Sequence, residues 1–342
     1  MPAGLQSVSE ARSTIRGIMD RHGARGSPEE FHQSVNVLFH DFESEIYDQG
    51  HRDMWESLPR QFELLAGDWL RRDPHAPAEI RLLDIGCGTG LASDCLLKTA
   101  IGGNIKTIDL LDTSRSMLQR ASERASGWKA PAICHEGLLN ALPPGRQYEL
   151  IVACSVLHHV PDLPAFLGGV RGLQAPGGVF LHLQDPNGDF LDDAELRQRT
   201  ARVSRRLLPE WACRFTPRRI FGRIHRELTG KQGQDFVSKT NRALLEKGIV
   251  TTLLSVHEIF SITDIHVQDG EGISISRMES WLPDYECLSR RSYGFFGMLH
   301  SALPRRRQPM EEELIARQAL NGLHIAAAWK LRIPAQRALT PC

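Results

Sequence analysis

The sequence contains little that is typical of a membrane protein or of a disulfide-stabilised scaffold. No run approaches the roughly 18 apolar residues that a membrane-spanning helix needs, and the N-terminus has no apolar stretch of the signal-peptide kind. The seven cysteines include no Cys-x-x-Cys pair and are odd in number, which argues against a disulfide framework or a zinc site. We therefore expect reduced, mostly buried thiols and a cytoplasmic location.

A net charge is also lacking, because 41 basic residues balance 41 acidic ones. The charges are nevertheless segregated: residues 29–68 hold ten acids against two arginines, whereas ten arginines face one acid between Arg197 and Arg226. Two interpretations stay open. The two segments neutralise each other by packing, or the arginines contact an anionic group of a substrate, a carrier protein or RNA. RNA is the least favoured partner, because the sequence pI near 7.2 lacks a basic excess.

The most informative segment is a glycine-rich loop after an apolar strand. Residues 82–90 read Leu-Leu-Asp-Ile-Gly-Cys-Gly-Thr-Gly, with glycine at every second position. Gly86, Gly88 and Gly90 allow sharp backbone turns and let a ligand approach bare amides at the start of the next helix. Dinucleotide-binding loops have the spacing G-x-G-x-x-G, whereas here Asp84 precedes three alternating glycines. The spacing therefore favours another nucleotide-type cofactor.

Three later segments extend this pattern. A second apolar strand over residues 105–111 leads to Asp112, which opens the segment Asp-Thr-Ser-Arg-Ser-Met-Leu. Residues 147–159 combine a strand with a Leu-His-His turn, and residues 173–184 combine a Pro-Gly-Gly turn with another strand. Together with the glycine loop, these segments resemble, in their order, the class I S-adenosylmethionine-dependent methyltransferases. The resemblance covers about residues 80–186.

The resemblance implies S-adenosylmethionine as the cofactor and assigns residues around it. Asp112 corresponds to the acid that accepts hydrogen bonds from both ribose hydroxyls, and Tyr47 to a lid residue near the methionine end. The family's adenine-binding aspartate is missing, since Leu138 stands at its place. We expect apolar packing and the backbone amide of Leu139 to hold adenine instead, with some loss of affinity. The predicted cofactor-binding set is Asp84, Gly86, Cys87, Gly88, Gly90, Asp112, Thr113, Met117, Leu138, Leu139, Cys154 and Tyr47.

The same resemblance predicts an α/β, Rossmann-like fold: a seven-stranded, mostly parallel sheet with helices on both faces. Apolar residues 291–299 and 322–331 are expected to form the sixth and seventh strands, the last one antiparallel. The chain then divides into a helical lid (1–77), the cofactor-binding core (78–187), a mostly helical insertion that caps the substrate (188–282) and the strands that complete the sheet (283–342).

Histidine is the natural proton acceptor for methyl transfer to oxygen, and the Leu-His-His turn lies at the substrate edge of the sheet. We predict His159, and after it His158, as the candidate general base; a structural role for both is the alternative, because the turn is common in the family. His40 and His51 could reach this edge from the lid. No metal site is predicted, because the fourth strand ends without the acid that metal-dependent members carry there.

These features predict a methyltransferase that acts on oxygen or nitrogen of a small or carrier-tethered organic molecule, in secondary or specialised metabolism. One alternative is methylation of RNA or protein, which would require a continuous exposed basic groove. The other is a non-catalytic S-adenosylmethionine-binding partner protein, for which Leu138 is the only indication. The intact glycine loop and Asp112 argue against that alternative.

Overall fold

The computed structural model describes residues 3–74, 77–207, 235–268, 271–297 and 303–333. Seven strands in this part of the chain form one sheet. They are β1 (Ile80–Ile85), β2 (Ile105–Asp112), β3 (Ala132–Glu136), β4 (Tyr148–Cys154), β5 (Gln174–Pro186), β6 (Tyr285–Tyr293) and β7 (His324–Leu331). Their order across the sheet is β3-β2-β1-β4-β5-β7-β6.

Helices precede, connect and flank the strands. In chain order they are α1 (Ala3–His22), α2 (Pro28–Glu43), α3 (Tyr47–Gly50), α4 (Arg52–Arg72), α5 (Leu91–Leu97), α6 (Arg115–Ala125), α7 (Leu163–Leu173), α8 (Ala194–Leu207), α9 (residues 235–246), α10 (Val256–Thr263), α11 (Ile265–Gln268), α12 (Ile275–Trp281) and α13 (Gln308–Ala316). Short 3₁₀ turns occur at Gly102–Asn104, Leu139–Ala141 and Leu157–His159.

The sheet confirms the predicted fold class. Strands β1 to β5 pair in parallel, whereas β7 runs antiparallel to both β5 and β6. The central strands are apolar on both faces, because helices cover both sides of a sheet of this type. Parallel pairing brings the carboxyl ends of β1, β2, β4 and β5 to one edge, where ligands bind in open α/β sheets.

The sixth strand was predicted at the wrong position in the sequence. The apolar run at 291–299 suggested the strand, but β6 occupies Tyr285–Tyr293. Gly294 and Gly297 adopt positive φ angles of 73° and 66°, which ends the extended backbone. Phe295 and Phe296 are fully buried in the core all the same, so their hydrophobicity reflects packing after the strand.

The lid and the insertion share a second hydrophobic core. Helices α1 and α2 pack there against α9, α10 and α11. Phe39 lies at its centre and contacts the rings of Phe236 and Phe260 edge-on, at centroid distances of 5.0 and 5.6 Å. Helix α4 packs instead on the sheet, where Asp68 and Arg291 form a buried ion pair with an oxygen to nitrogen distance of 2.6 Å.

Within the described ranges, no helix is long and apolar enough to cross a membrane. The five cysteines of those ranges are unpaired, and Cys87, Cys95 and Cys154 are buried. Cys213 and Cys342 lie outside the described residues.

Candidate active site

The glycine loop after β1 is shaped by three left-handed residues. Gly86, Gly88 and Gly90 have φ angles of 60°, 52° and 82°. A Cβ atom at Gly86 would lie 2.6 Å from Cγ2 of Val156, so only glycine fits there. A Cβ atom at Gly88 would meet nothing nearer than Cε1 of Tyr47, at 4.0 Å. The loop is therefore closed on its inner side and open toward the lid.

Two carboxylates hold this loop, the buried Asp84 and the half-buried Asp112. Asp84 accepts hydrogen bonds from the amide and the hydroxyl of Ser93, at 3.2 and 2.7 Å, and ties β1 to α5. Burial raises the pKa of Asp84 to about 7. Asp112 accepts the amides of Gly88 and Ser114, at 2.9 and 2.8 Å, through different oxygens. Asp84 therefore braces the loop from within, whereas Asp112 stands at the open edge.

The other predicted cofactor residues lie around Asp112. The amide of Gly137 donates to its carbonyl at 2.9 Å, so Leu138 directly adjoins it, with 52% of its surface exposed. Met117 is buried at the start of α6, and its amide donates to the hydroxyl of Ser114. The side chain of Leu139 packs toward Gly169 of α7. The remaining members are half-buried Thr113 and buried Cys87 and Cys154.

The lid closes on this edge through acid residues that the sequence analysis did not single out. Asp41 accepts from the hydroxyl of Ser114 at 2.6 Å and from the amide of Ser116 at 3.3 Å. Asp48 accepts from the hydroxyl of Thr89 and from Arg124, both at 2.7 Å. The lid is thus bonded to the loops after β1 and β2, on either side of the open face of the glycine loop.

The Leu-His-His turn after β4 carries a cluster of imidazoles and carboxylates. Nδ1 of His158 lies 2.8 Å from Oδ1 of Asp185 on β5, and Asp185 also accepts the amide of His158. Gln184, with φ 69°, forms a bulge in β5 just before Asp185; such a bulge re-aims the side chains that follow. Nδ1 of His159 lies 2.6 Å from the carbonyl of Thr263 and 3.3 Å from Oδ1 of Asp264. Burial, with the neighbouring imidazoles, holds the pKa of His159 well below 6.5.

The lid contributes a second group beside this cluster. Glu43 is 4% exposed and holds two imidazoles: Nδ1 of His40 at 3.1 Å and Nε2 of His51 at 3.3 Å. Burial opposes the charged form of each histidine, but the bond to Glu43 prevails and raises the pKa of both. The ring of His40 contacts that of His159 edge-on at 5.2 Å, and His51 lies 4.4 Å from the ring of Tyr47.

The structure therefore brings the predicted cofactor residues and both predicted catalytic histidines to one edge under the lid. Spacing alone would not have identified Glu43 or Asp264, because neither belongs to a local motif. The predicted arginine segment is described only in part. Arg197 binds Asp192, and Arg199 is buried against the carbonyls of Phe295 and Asn321. Arg214, Arg218, Arg219, Arg223 and Arg226 lie outside the described residues, as do the side chains of Arg202, Arg205 and Arg206.

The residues at this edge fit S-adenosylmethionine. A Cβ atom at Gly88 would make only ordinary contact with the ring of Tyr47, so the loop backbone faces that ring of the lid. Each carboxylate oxygen of Asp112 accepts one backbone amide, and a carboxylate has about four acceptor positions, so both oxygens can still accept ribose hydroxyls. Leu138 offers an exposed apolar surface beside it for adenine.

Known proteins match the same part of the chain. Residues 83–180 match the family model of a methyltransferase domain. A highly reducing polyketide synthase of Aspergillus carbonarius is 28% identical over 153 residues, which are 40% of this chain and 6% of that protein. A ubiquinone biosynthesis O-methyltransferase of Rhodopseudomonas palustris is 30% identical over 105 residues, 30% of this chain and 38% of that protein. The chain thus spans well under two thirds of the length of these relatives.

Solved structures match the chain with lower sequence identity. The N-methyltransferase NodS from Bradyrhizobium japonicum, in complex with S-adenosyl-L-homocysteine, has a TM-score of 0.45 and 12% identity, covering 86% of this chain and 98% of its own. The plantazolicin methyltransferase BpumL has a TM-score of 0.44 and 13% identity, covering 88% and 96%. Similarity at this level is not informative about the substrate. The matched domain, the strand order and the glycine loop with Asp112 identify residues 83–180 as a methyltransferase domain of the class I, S-adenosylmethionine-dependent type.

Proposed function

We propose that this protein transfers the methyl group of S-adenosylmethionine to an oxygen or nitrogen of a small or carrier-tethered organic molecule. One observation carries the proposal. The glycine loop with Asp112 and the cluster around His158 lie on one edge of the sheet, and the same lid contacts both. A lid that contacts both parts of the site suits a small acceptor, because closure aligns the reactants and excludes water.

The cofactor supplies a methyl group already activated by its sulfonium, so the protein needs mainly to align the acceptor and receive its proton. Asp112 and the amides of the glycine loop would hold the ribose and methionine parts, Leu138 and Met117 would pack against adenine, and Tyr47 would lie at the methionine end. The acceptor lies between Tyr47 and the Leu-His-His turn. His158, anchored by Asp185, and His159 activate it there.

The names of the relatives are consistent with such an acceptor. Ubiquinone biosynthesis O-methyltransferases and polyketide synthases both belong to the synthesis of small organic molecules. We propose on this basis a role in secondary or specialised metabolism. Three further features stay predictions from the sequence: a cytoplasmic location, an anionic partner for the arginine segment and the four-segment division of the chain. So do the alternatives of an RNA or protein acceptor and of a non-catalytic partner protein.

The test is methyl transfer from labelled S-adenosylmethionine to a panel of phenols, hydroxy acids and amines, with wild type and His158→Gln. We expect the variant to lose roughly 10²- to 10⁴-fold in kcat, the usual contribution of a positioned proton-transfer group. Its affinity for S-adenosylhomocysteine should stay within about twofold, because His158 lies on the acceptor side. His257→Gln, on the exposed face of α10, is the matched control. Equal kcat values for wild type and His158→Gln would contradict the assignment.

A further inference from the structure

We propose that His40 of the lid is an acceptor-binding residue. Held by Glu43, it donates a hydrogen bond from Nε2 to a carbonyl oxygen of the acceptor, while His159 receives the proton of a neighbouring hydroxyl. The acceptor class that follows is a compound with a hydroxyl beside a carbonyl, such as a hydroxyaryl ketone or the enol of a 1,3-dicarbonyl compound. This inference rests on the proposed function, because it names the acceptor that the same site takes.

The first argument is the position of His40. It lies in the last turn of α2, and its ring contacts that of His159 edge-on at a centroid distance of 5.2 Å. His32, earlier in the same helix, forms a hydrogen bond with the backbone of His159 and so holds α2 on the Leu-His-His turn. The side chains of His40 and His159 keep 19% and 21% of their surface exposed. The two imidazoles are thus neighbours at the site, one from the lid and one from the sheet edge, and neither is closed off.

The second argument is which ring nitrogens are in use. Nδ1 of His40 is bonded to Oε2 of Glu43 at 3.1 Å, and Nδ1 of His159 to the carbonyl of Thr263 at 2.6 Å. A carbonyl only accepts, so Nδ1 of His159 carries a proton, and Nε2 of the neutral ring is an acceptor. In neither ring does Nε2 have a hydrogen-bond partner among the residues that the structure describes. Each imidazole therefore has one unused nitrogen for a ligand.

The third argument is the charge of the two rings. Glu43 is 4% exposed, and a buried carboxylate is costly unless a cation compensates it. Burial opposes the charged form of His40, but the bond to Glu43 outweighs it. The carboxylates of Asp112 and Asp264 add to this effect, so the pKa of His40 is raised. Burial, with the neighbouring imidazoles, instead lowers the pKa of His159. Adjacent groups whose pKa values are pushed apart take opposite roles, here His40 as donor and His159 as acceptor.

These roles select the acceptor. Its hydroxyl gives the proton to Nε2 of His159, and the oxygen forms the new bond to the methyl carbon; the bond between that carbon and sulfur breaks, and its electron pair stays on sulfur. A charged His40 has only protons to donate, so it needs a second polar atom that accepts. Because the two rings are in contact, this atom must lie close to the hydroxyl, as a neighbouring carbonyl oxygen does. The hydrogen bond to that carbonyl also makes the hydroxyl more acidic, which suits the weakly basic His159.

The experiment compares methyl transfer to 2-hydroxyacetophenone and to phenol, which differ in the carbonyl beside the hydroxyl. His40→Asn keeps a nitrogen near Nδ1 for Glu43 but lacks Nε2, whereas His40→Gln keeps a neutral donor near Nε2. We expect wild type to prefer the ketone by at least about tenfold in kcat/KM. His40→Asn should lose roughly 10- to 150-fold toward the ketone but no more than about twofold toward phenol, and His40→Gln should lie between. His257→Gln, on the exposed face of α10, should behave like wild type.

A loss in His40→Asn that is equally large toward both compounds would assign His40 a merely structural role and overturn the proposal, as would equal kcat/KM values in wild type. Titration with S-adenosylhomocysteine checks the fold, and each variant should bind it within about twofold of wild type. If His40→Asn does not bind it, His40→Gln decides, because its neutral donor must still reduce the preference. Turnover of other acceptors but of neither compound overturns only this inference, whereas turnover of no acceptor overturns the proposed function.

Discussion

His182 shows how strongly a single side chain can depend on its surroundings. It is fully buried in the middle of β5, 5.8 Å from the ring of Phe180 and 6.4 Å from that of Trp329. Neither of its nitrogens finds a partner among the described residues, and burial lowers its pKa from 6.5 to about 4. The folded state therefore holds this imidazole neutral at a pH where an unfolded chain already binds the proton.

This difference predicts acid sensitivity. Between pH 6.5 and about 4 the unfolded chain binds a proton at His182 that the folded chain refuses, so stability falls as the pH falls. The lowered pKa corresponds to roughly 3 kcal/mol. At pH 7.5, His182→Phe should unfold in urea in the same kind of transition as wild type, with a shifted midpoint. On acidification to pH 4.5, the variant should lose less stability than wild type, as measured by urea denaturation. An identical loss in both proteins would contradict the account.

Residues of local motifs could be predicted from the sequence, whereas residues joined by tertiary contacts could not. Asp84, Gly88 and Asp112 lie near one another because two adjacent strands end side by side, and strand ends are visible in the sequence. Asp264 reaches His159 from the turn between α10 and α11, more than a hundred residues later, and Glu43 reaches His40 and His51 within the lid. No spacing rule connects those positions before the lid and the insertion are packed.

At the level of elements, we expect the contact between lid and glycine loop to control access to the site. Asp48, in α3, binds both Thr89 of the loop and Arg124 at the end of α6. These groups are only partly exposed, and bonds to a carboxylate are stronger than neutral ones. Release of a bound cofactor product therefore requires these bonds to break.

Asp48→Asn should accordingly speed the dissociation of S-adenosylhomocysteine several-fold in stopped-flow experiments, because it removes the charge that holds Arg124. Glu45→Gln is the matched control, since Glu45 lies on the same lid but pairs with Lys239 on the exposed surface. Equal dissociation rates for Asp48→Asn and wild type would show that the lid opens without breaking this contact.

Elements were predicted well where hydrophobic runs and turns coincide. The strands at 105–111 and 322–331 were placed within about two residues of β2 and β7, because charged or glycine residues bound them. The sixth strand was misplaced because Phe295 and Phe296 are as apolar as strand residues but follow the turn at Gly294. Whether an apolar segment is buried and whether its backbone is extended are separate properties. The amino-acid composition of the segment indicates only the first.

At the scale of the whole molecule, the parallel sheet fixes where the cofactor and the acceptor meet, and the helices around it decide what can enter. The seven-stranded, mostly parallel sheet with its antiparallel last strand was predicted from the resemblance. The common core of lid and insertion was not, because Phe39, Phe236 and Phe260 are far apart in the sequence. That core packs α2 against α10, so the positions of Glu43 at the end of α2 and of Asp264 after α10 depend on both segments.

The central claim is that the loop and Asp112 bind S-adenosylmethionine, and calorimetric titration with S-adenosylhomocysteine tests it most directly. Wild type should bind one equivalent, and Asp112→Ala should bind roughly 10- to 150-fold more weakly, because it loses charge-assisted hydrogen bonds of about 1.5–3 kcal/mol. Glu123→Ala, which removes an exposed acid of α6, is the control. Binding of NADH in place of S-adenosylhomocysteine, or unchanged affinity in Asp112→Ala, would contradict the claim.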